Sequence, residues 1–379
     1  MRSRTSLPRV LGEPDSAIAW CRLAVACAVA AFFAIATTTS AGAAVASTGP
    51  PCGAAGATRI VDQIDDGIAR EIYSQELGST EVSADLTRIS DSNALASAVA
   101  SGNLAAIQSA THAIVYTPVW HIVRLRVLSP TGTVLADVGG PYILAPVTGH
   151  ITYDGKTVGS FVMSVQDDRG YKKLVTHIAG VPVEIYRAGK PLMGTLPKPP
   201  ASPPSSGSLK LAGISYAVDA YSVEAFPSGT LEVAVFVPKP TAALAKASCA
   251  SVALATDASV VRNVASGLEL SGHNIYANQQ LFISQATGYV HVPVFMFSDG
   301  VEDYGTNYLP GSSAPSPPSL TVKATEVSYE GSEWLVSAQR PFPPAWIYVF
   351  APANAAATAG GTGSTGSVPG DGAGNPGGQ

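Results

Sequence analysis

The sequence predicts an α+β protein: a long N-terminal helix leading an antiparallel sheet, followed by a second, degenerate β-rich module. Three observations predict it. From Arg59 to Glu76 the chain places Ile60, Ile64, Ile68 and Ile72 at every fourth position, with Asp62, Asp65, Asp66 and Arg70 between them, which makes one apolar stripe on a helix about 27 Å long. From His121 to Leu174 two pairs of strand-like runs are joined by turn signals. Features of the first half then recur in the same order in the second, as an internal duplication requires.

Residues 1–46 read as a secretory signal. Arg2, Arg4, Arg9 and Arg22 precede the apolar run Leu23 to Ala36, and the small-residue cleavage patterns Ala41-Gly42-Ala43 and Ala44-Val45-Ala46 follow. The run is short for a membrane span, which needs about 20 residues, and left uncleaved it would serve as an N-terminal anchor. Cleavage is the expectation, and the rest of the chain is expected to be secreted or held at the extracytoplasmic face. Cys21 and Cys27 leave with the signal. Cys52 and Cys249 remain, an even pair in an oxidising compartment, so one disulfide is the only intramolecular option. Each stands at the start of a helical pattern, and a bridge would fasten the two modules together.

The first module is expected over 52–195. After the long helix, Asn93 and Asn103 can each cap a short helix over Ala94 to Ala100 and Leu104 to Ala110. His121 to Leu128 is a strand, turned by Ser129-Pro130-Thr131-Gly132 into Thr133-Val134-Leu135. Ile151-Thr152-Tyr153 turns at Asp154-Gly155 and returns through Thr157 to Gln166. Val181 to Tyr186 is a further strand. Residues 196–208, rich in Pro and Ser, are expected to be an exposed linker, and 209–352 the second module. There Val292-Pro293-Val294 repeats Val181-Pro182-Val183, Gly311 to Ser319 repeats the linker, Val327-Ser328-Tyr329 repeats Ile214-Ser215-Tyr216, and Trp346 to Pro352 repeats Leu231 to Pro238. Ile151 to Gly155 is echoed by Val327 to Gly331, so the strand unit is expected up to three times, with no counterpart of His121 to Gly140 in the second module. Thr241 to Ala265 suits a helix, and 353–379 is a Gly-rich tail that cannot bury a core.

Composition excludes several classes. With 46% apolar residues the chain can build cores, and Lys+Arg 22 against Asp+Glu 27, without a basic cluster past the N-terminus, leaves no footprint for a nucleic acid. Catalytic motifs are absent from the sequence, and its six His residues lack metal-ligand spacing, so no enzyme, metal or cofactor is expected. Asp167-Asp168 point to opposite faces of a strand and suit a strand-end turn that contacts backbone amides. His112, His177, Trp120 and Met163 read as structural. Alternation puts Arg124 and Arg126 on one face of their strand. If that face borders a cavity under the preceding loops, their forked donors suit a carboxylate, with Tyr142, His150, Ser164 and Gln166 able to complete the site. The competing placement is a solvated sheet face.

The strand ending in Pro130-x-Gly132-x-Val134-Leu135, followed by Tyr153-Asp154-Gly155-Lys156-Thr157-Val158-Gly159-Ser160-Phe161-Val162-Met163-Ser164-Val165, resembles the extracytoplasmic Cache sensor fold. This is the PAS-like domain of bacterial receptors that includes citrate- and dicarboxylate-sensing kinases. The likeness covers about Arg59 to Tyr186. It implies a small ligand, commonly a carboxylate, bound between sheet and overlying loops by Arg, Lys, His and Ser. Of these, Ser164 matches in strand and parity, though it lies further past Gly159 than the pattern has it, and the arginines carry over by strand face alone. The chain shows no second membrane helix and no output module, so a sensor of this kind would act through a membrane partner. The alternative is a structural or adhesive envelope protein with no ligand; an extracellular hydrolase would need a nucleophile-base pair that the sequence does not display.

Overall fold

The computed structural model describes residues 50–117, 122–140, 143–275, 277–298, 301–306, 326–329, 331–342 and 345–353. The expected signal, the tail from residue 354, the second Pro/Ser run, His121 and Tyr142 lie outside them.

Helix α1 (Gly53–Gly78) buries Ile60, Ile68 and Ile72 as their spacing predicts. It starts six residues before Arg59, in what reads as a Gly/Ala spacer, because small Ala57 lets this end pack closely on Val252. Cys52 is the residue before the helix, and it is disulfide-bonded to Cys249, the first residue of α7 (Cys249–Leu270), which follows the short α6 (Ala242–Lys246). Ser79 ends α1 and caps α2 (Thr80–Ser90), which the periodicity missed. Ser92, one residue ahead of the expected Asn93, caps α3 (Asn93–Ser101), whereas Asn103 caps α4 (Leu104–Val115) as expected.

Three antiparallel sheets follow, with a short extra pair, β3 (Ile143–Leu144) with β6 (Gln166–Asp167). The first sheet contains β1 (Arg124–Leu128), β2 (Val134–Gly139), β4 (Val147–Tyr153) and β5 (Lys156–Ser164) in the order β2-β1-β5-β4. Its Asp154-Gly155 turn has φ of 48° and 74°, the pair of positive values that a two-residue hairpin loop demands. The second contains β7 (Val183–Arg187), β8 (Lys190–Gly194), β9 (Gly207–Leu211), β10 (Ile214–Glu224) and β11 (Thr230–Pro238) in the order β8-β7-β11-β10-β9. The third contains β12 (Val294–Ser298), β13 (Val301–Thr306), β14 (Glu326–Tyr329), β15 (Ser332–Gln339) and β16 (Ala345–Pro352) in the order β13-β12-β16-β15-β14.

The second and third sheets thus share one topology, and the first is the same arrangement without its last strand. Even the irregularity recurs: the opening hairpin of each sheet slips register once, at Val127/Leu128, Ile185/Tyr186 and Met296/Phe297. Three expectations need correction. Residues 196–208 join β8 to β9 within one sheet, so they do not divide two modules. Ile214-Ser215-Tyr216 opens a strand after its turn, whereas Val327-Ser328-Tyr329 closes one before its turn, so the topological match of the latter is Leu209 to Leu211. The hairpin β1–β2 does have counterparts, β7–β8 and β12–β13, whose sequences have diverged while the pairing remained.

The Pro/Ser run is tied down at its start. Glu184 is buried on the outer face of the second sheet and accepts from the Leu196 backbone N–H at 2.6 Å. Gly194 makes room for this carboxylate, since a Cβ there would lie 1.9 Å from it. Leu196 packs with Tyr186, Tyr216 and Phe236 on that outer face, while most of the run beyond it is exposed, as expected.

Helix α5 (Asp168–Ile178), also missed by the periodicity, and α1 lie on the second sheet. The third sheet carries α7 and α8 (Gln279–Val290), and α1 and α5 pack on α7. Val183, Val233 and Val235 from the second sheet and Val294, Ile347 and Val349 from the third therefore share one core with Ile68, Ile72, Val261 and Phe282. Asp167 caps α5 by accepting from the Gly170 N–H, the backbone-amide role expected of it. Among the described residues no helix is long and apolar enough to cross a membrane.

Candidate functional site

Pairing places Arg124 opposite Ser164 and Arg126 opposite Val162, with His150 opposite Ser160. These residues share one face of the first sheet, but α3 and α4 cover the other. There Leu125, Val127, Ile151, Phe161 and Met163 pack on Leu95, Ile107 and Ile114. The Phe161 ring occupies the space beside Gly149, where a Cβ would lie 2.3 Å from Cζ, so the helix-covered side of this sheet is filled by side chains.

The arginine face meets Phe226, carried on the turn between β10 and β11, with the two guanidinium carbons 4.8 and 5.5 Å from the ring centroid. Both arginines are committed to Asp137. Arg124 donates to it through Nε and Nη2 at 2.8 Å each and through Nη1 to the Gly140 carbonyl at 2.6 Å, and Arg126 donates to it through Nε at 3.1 Å. Burial would raise the Asp137 carboxyl, but the hydrogen bonds and charges of both arginines outweigh it and hold it below the ordinary carboxylate range. Ser164 is fully buried; its hydroxyl donates to the Leu144 carbonyl and accepts from the Gln166 N–H. Gln166 donates to Glu76 at 3.2 Å, and His150 is exposed. Four of the predicted residues thus hold the sheet and its neighbours in place, and none of the four lines either of the cavities described below.

Asp137→Ala is expected to cost about 1–2 kcal/mol, because it leaves two guanidinium groups facing each other in a part-buried, part-screened setting. Urea unfolding of this variant checks it, and a loss below about 0.3 kcal/mol would mean that the clamp is idle.

Polar groups do converge elsewhere, in a cleft of about 600 Å³ between the first half of α1 and strands β9 and β10. Its α1 wall carries Thr58, Arg59 and Asp62, and the opposite side carries Ser206, Asp219 and Lys239. The stripe that puts Ile60, Ile68 and Ile72 into the core turns this set toward the second sheet. Asp62 Oδ1 is buried with no hydrogen-bond partner among the described residues. Burial, and then the charge of Asp219, raise the Asp62 carboxyl above its ordinary value.

A polar network fixes one end of this cleft. Arg70 donates to Asp66 at 2.7 Å and to Asp219 at 2.6 Å, and its guanidinium lies 3.8 Å over the Tyr221 ring. Ser206 donates to the second Asp219 oxygen at 2.8 Å. The Tyr221 and Tyr171 hydroxyls are 2.8 Å apart, and Tyr171 donates to the Ala69 carbonyl at 2.9 Å. Burial pushes Asp66 up to about 7, against the pull of Arg70. Burial also opposes ionisation of Asp219, but its hydrogen bonds with Asp66, Arg70 and Ser206 outweigh that and lower it. The Asp219 carboxylate is thereby fixed in place, while Arg59, Lys239 and Asp62 offer two cations and one carboxyl to a guest. Arg59 and Lys239 suit a carboxylate, and Asp62 suits an amine or hydroxyl. The sequence signal for this site was the run of acids Asp62, Asp65 and Asp66 on a helix whose other face is apolar; its partners on β10 and after β11 had no local signature.

No known protein family matches the chain, and no curated protein does. Among solved structures, the ligand-binding domain of the Pseudomonas fluorescens chemoreceptor CtaA in complex with L-alanine is similar over 48% of this chain and 96% of that one, at 14% identity and a TM-score of 0.28. The periplasmic domain of Vibrio cholerae LuxQ is similar over 48% and 96%, at 12% identity and a TM-score of 0.25. The ligand-binding domain of the Pseudomonas aeruginosa PAO1 amino acid chemoreceptor PctC in complex with GABA is similar over 44% and 99%, at 16% identity and a TM-score of 0.21. At these scores the likenesses carry no argument about the ligand of this chain.

Proposed function

We propose that this chain is an extracytoplasmic small-molecule-binding protein of the sensor type, which holds a small carboxylate metabolite and acts through a membrane partner. The observation that carries the reading is the cleft between α1 and the second sheet: it is concave, of small-molecule size, and lined by convergent charges that include a buried, unpartnered carboxyl oxygen. A ligand with both a carboxylate and an amine matches its two cations and Asp62. The disulfide supports an oxidising compartment. The Cache-like reading of the sheets rests on the sequence resemblance and on the repeated strand order. The ligand is assigned to this cleft, and not to the arginine face, because Arg124 and Arg126 already hold Asp137.

A thermal-shift screen of amino acids and small organic acids tests the reading. A true ligand at about 100 times its Kd adds about 2.7 kcal/mol, which for a chain of this size raises Tm by about 5 °C. Arg59→Ala with Lys239→Ala, and separately Asp62→Asn, should abolish that shift while leaving the unliganded protein folded. A screen in which no compound moves Tm would reject the proposal. It would favour the second reading, a structural or adhesive envelope protein, for which the filled space beneath Phe161 in the first sheet speaks.

A further inference from the structure

A second cavity, of about 350 Å³, lies between α5, α7 and α8. Leu174 and Ile178 from α5 and Val264 and Leu268 from α7 make its walls apolar. Ser271, Gln285 and Tyr289 also line it, and two further groups break that apolar character. Lys173 is exposed at the rim, and His177 presents an Nε2 that is buried with no hydrogen-bond partner among the described residues. The two helices are held close at this point: Gly267 faces the imidazole, where a Cβ would lie 2.8 Å from Nε2, and Asn263 donates to the Ile178 carbonyl at 3.0 Å. The Tyr289 hydroxyl, from α8, is already donated to Gln75 at 3.3 Å.

A buried imidazole nitrogen without a partner costs free energy, and an apolar hollow is a poor place for the water that would satisfy it. One kind of guest relieves both: an aliphatic chain against the leucine, isoleucine and valine walls, with an oxygen that accepts from Nε2–H once the imidazole turns from Gly267 toward the hollow, and a negative charge beside the Lys173 ammonium. We propose that this cavity binds a single-chain amphiphile with a carboxylate head, of about ten carbons or fewer given its place at the small end of ligand-site volumes. The inference does not rest on the α1 cleft. Its position matters because α5 lies on the second sheet and α7 and α8 on the third: such a guest touches helices of both repeats.

Isothermal titration of the full-length chain with decanoate, decanol and decyltrimethylammonium, each below its micelle-forming concentration, tests the proposal. Decanoate should bind saturably with one site, decanol at least tenfold more weakly, and the ammonium compound not at all. Lys173→Glu, at an exposed position that should not disturb folding, and His177→Leu should each weaken decanoate at least tenfold. Arg59→Ala with Lys239→Ala should leave decanoate unchanged, which separates this site from the cleft on α1. Absence of saturable decanoate binding, equal affinity for all three head groups, or undiminished affinity in both Lys173→Glu and His177→Leu would overturn it.

Discussion

Replacing Cys52 and Cys249 together by serine is expected to lower the unfolding free energy by about 5 kcal/mol, the largest single effect foreseen for this chain. The two residues are 197 apart in sequence, and opening so long a loop returns conformational entropy of that size to the unfolded chain. The folded state loses little besides the bond. The Cys52 N–H still donates to the Ala247 carbonyl at 2.8 Å, Pro51 still pairs with Ser248, and Ala57 still packs on Val252. The destabilisation should therefore be global. Equilibrium urea unfolding would show a lower midpoint, and hydrogen exchange should speed up in the second and third sheets as well as in the first turns of α1 and α7. A loss under about 1 kcal/mol, or faster exchange confined to those first turns, would mean that the bridge only tacks down two helix ends.

That bridge was legible in the sequence because setting aside the expected signal left two cysteines, each at the start of a helical pattern. The α1 stripe and the Asp154-Gly155 turn were legible for similar local reasons, periodicity and a positive-φ glycine. Helix α5 was not. It begins on Asp167-Asp168, directly after a strand, and carries only Tyr171, Val175 and Ile178 as buried apolar residues, so its text reads as the polar end of a hairpin. The Pro/Ser run misled for a different reason. A segment without periodicity is usually solvated, and this one is for most of its length, but it joins two strands of one sheet, a pairing that no local signal announces. The arginines show the limit most clearly. Alternation put Arg124 and Arg126 on the correct shared face, yet which face the helices cover depends on how the chain closes. Asp137 and Phe226, their actual neighbours, come from β2 and from the turn between β10 and β11. The candidate cleft is non-local in the same sense, with Asp62 on α1 and Asp219 on β10.

Lowering the pH from 8 to 5 is expected to stabilise this protein, the reverse of the usual behaviour of surface carboxylates. Asp65 on α1 and Asp257 on α7 are buried in the helical interior, 3% and 5% exposed. Burial, reinforced by the nearby charges of Asp62 and Asp257, pushes Asp65 up to about 8, and burial alone pushes Asp257 to about 8. In the unfolded chain both return to the ordinary value of about 4. Between about 4 and 8 the folded state thus binds more protons than the unfolded one. Stability is greatest, as far as these two groups go, below about 4, falls as the pH rises through the window, and levels off above about 8, by up to about 1.4 kcal/mol per pH unit for each proton held. Asp66, raised to about 7, adds to the slope in the same direction. Asp137 and Asp219, both lowered, act only below about 4 and do not mask it. Because the unfolded carboxylates gain their hydration while the folded pair stays neutral between α1 and α7, each amide replacement, Asp65→Asn or Asp257→Asn, should remove about one proton's share of the slope and the double replacement both shares, leaving the smaller slope of Asp66 and of Asp168, which burial raises to about 6. Urea midpoints measured at pH 5, 6, 7 and 8 decide the matter. A wild-type midpoint that does not change with pH, or a slope as steep in the double variant as in the wild type, would place the charge of these two carboxyls in solvent and not in the helical core.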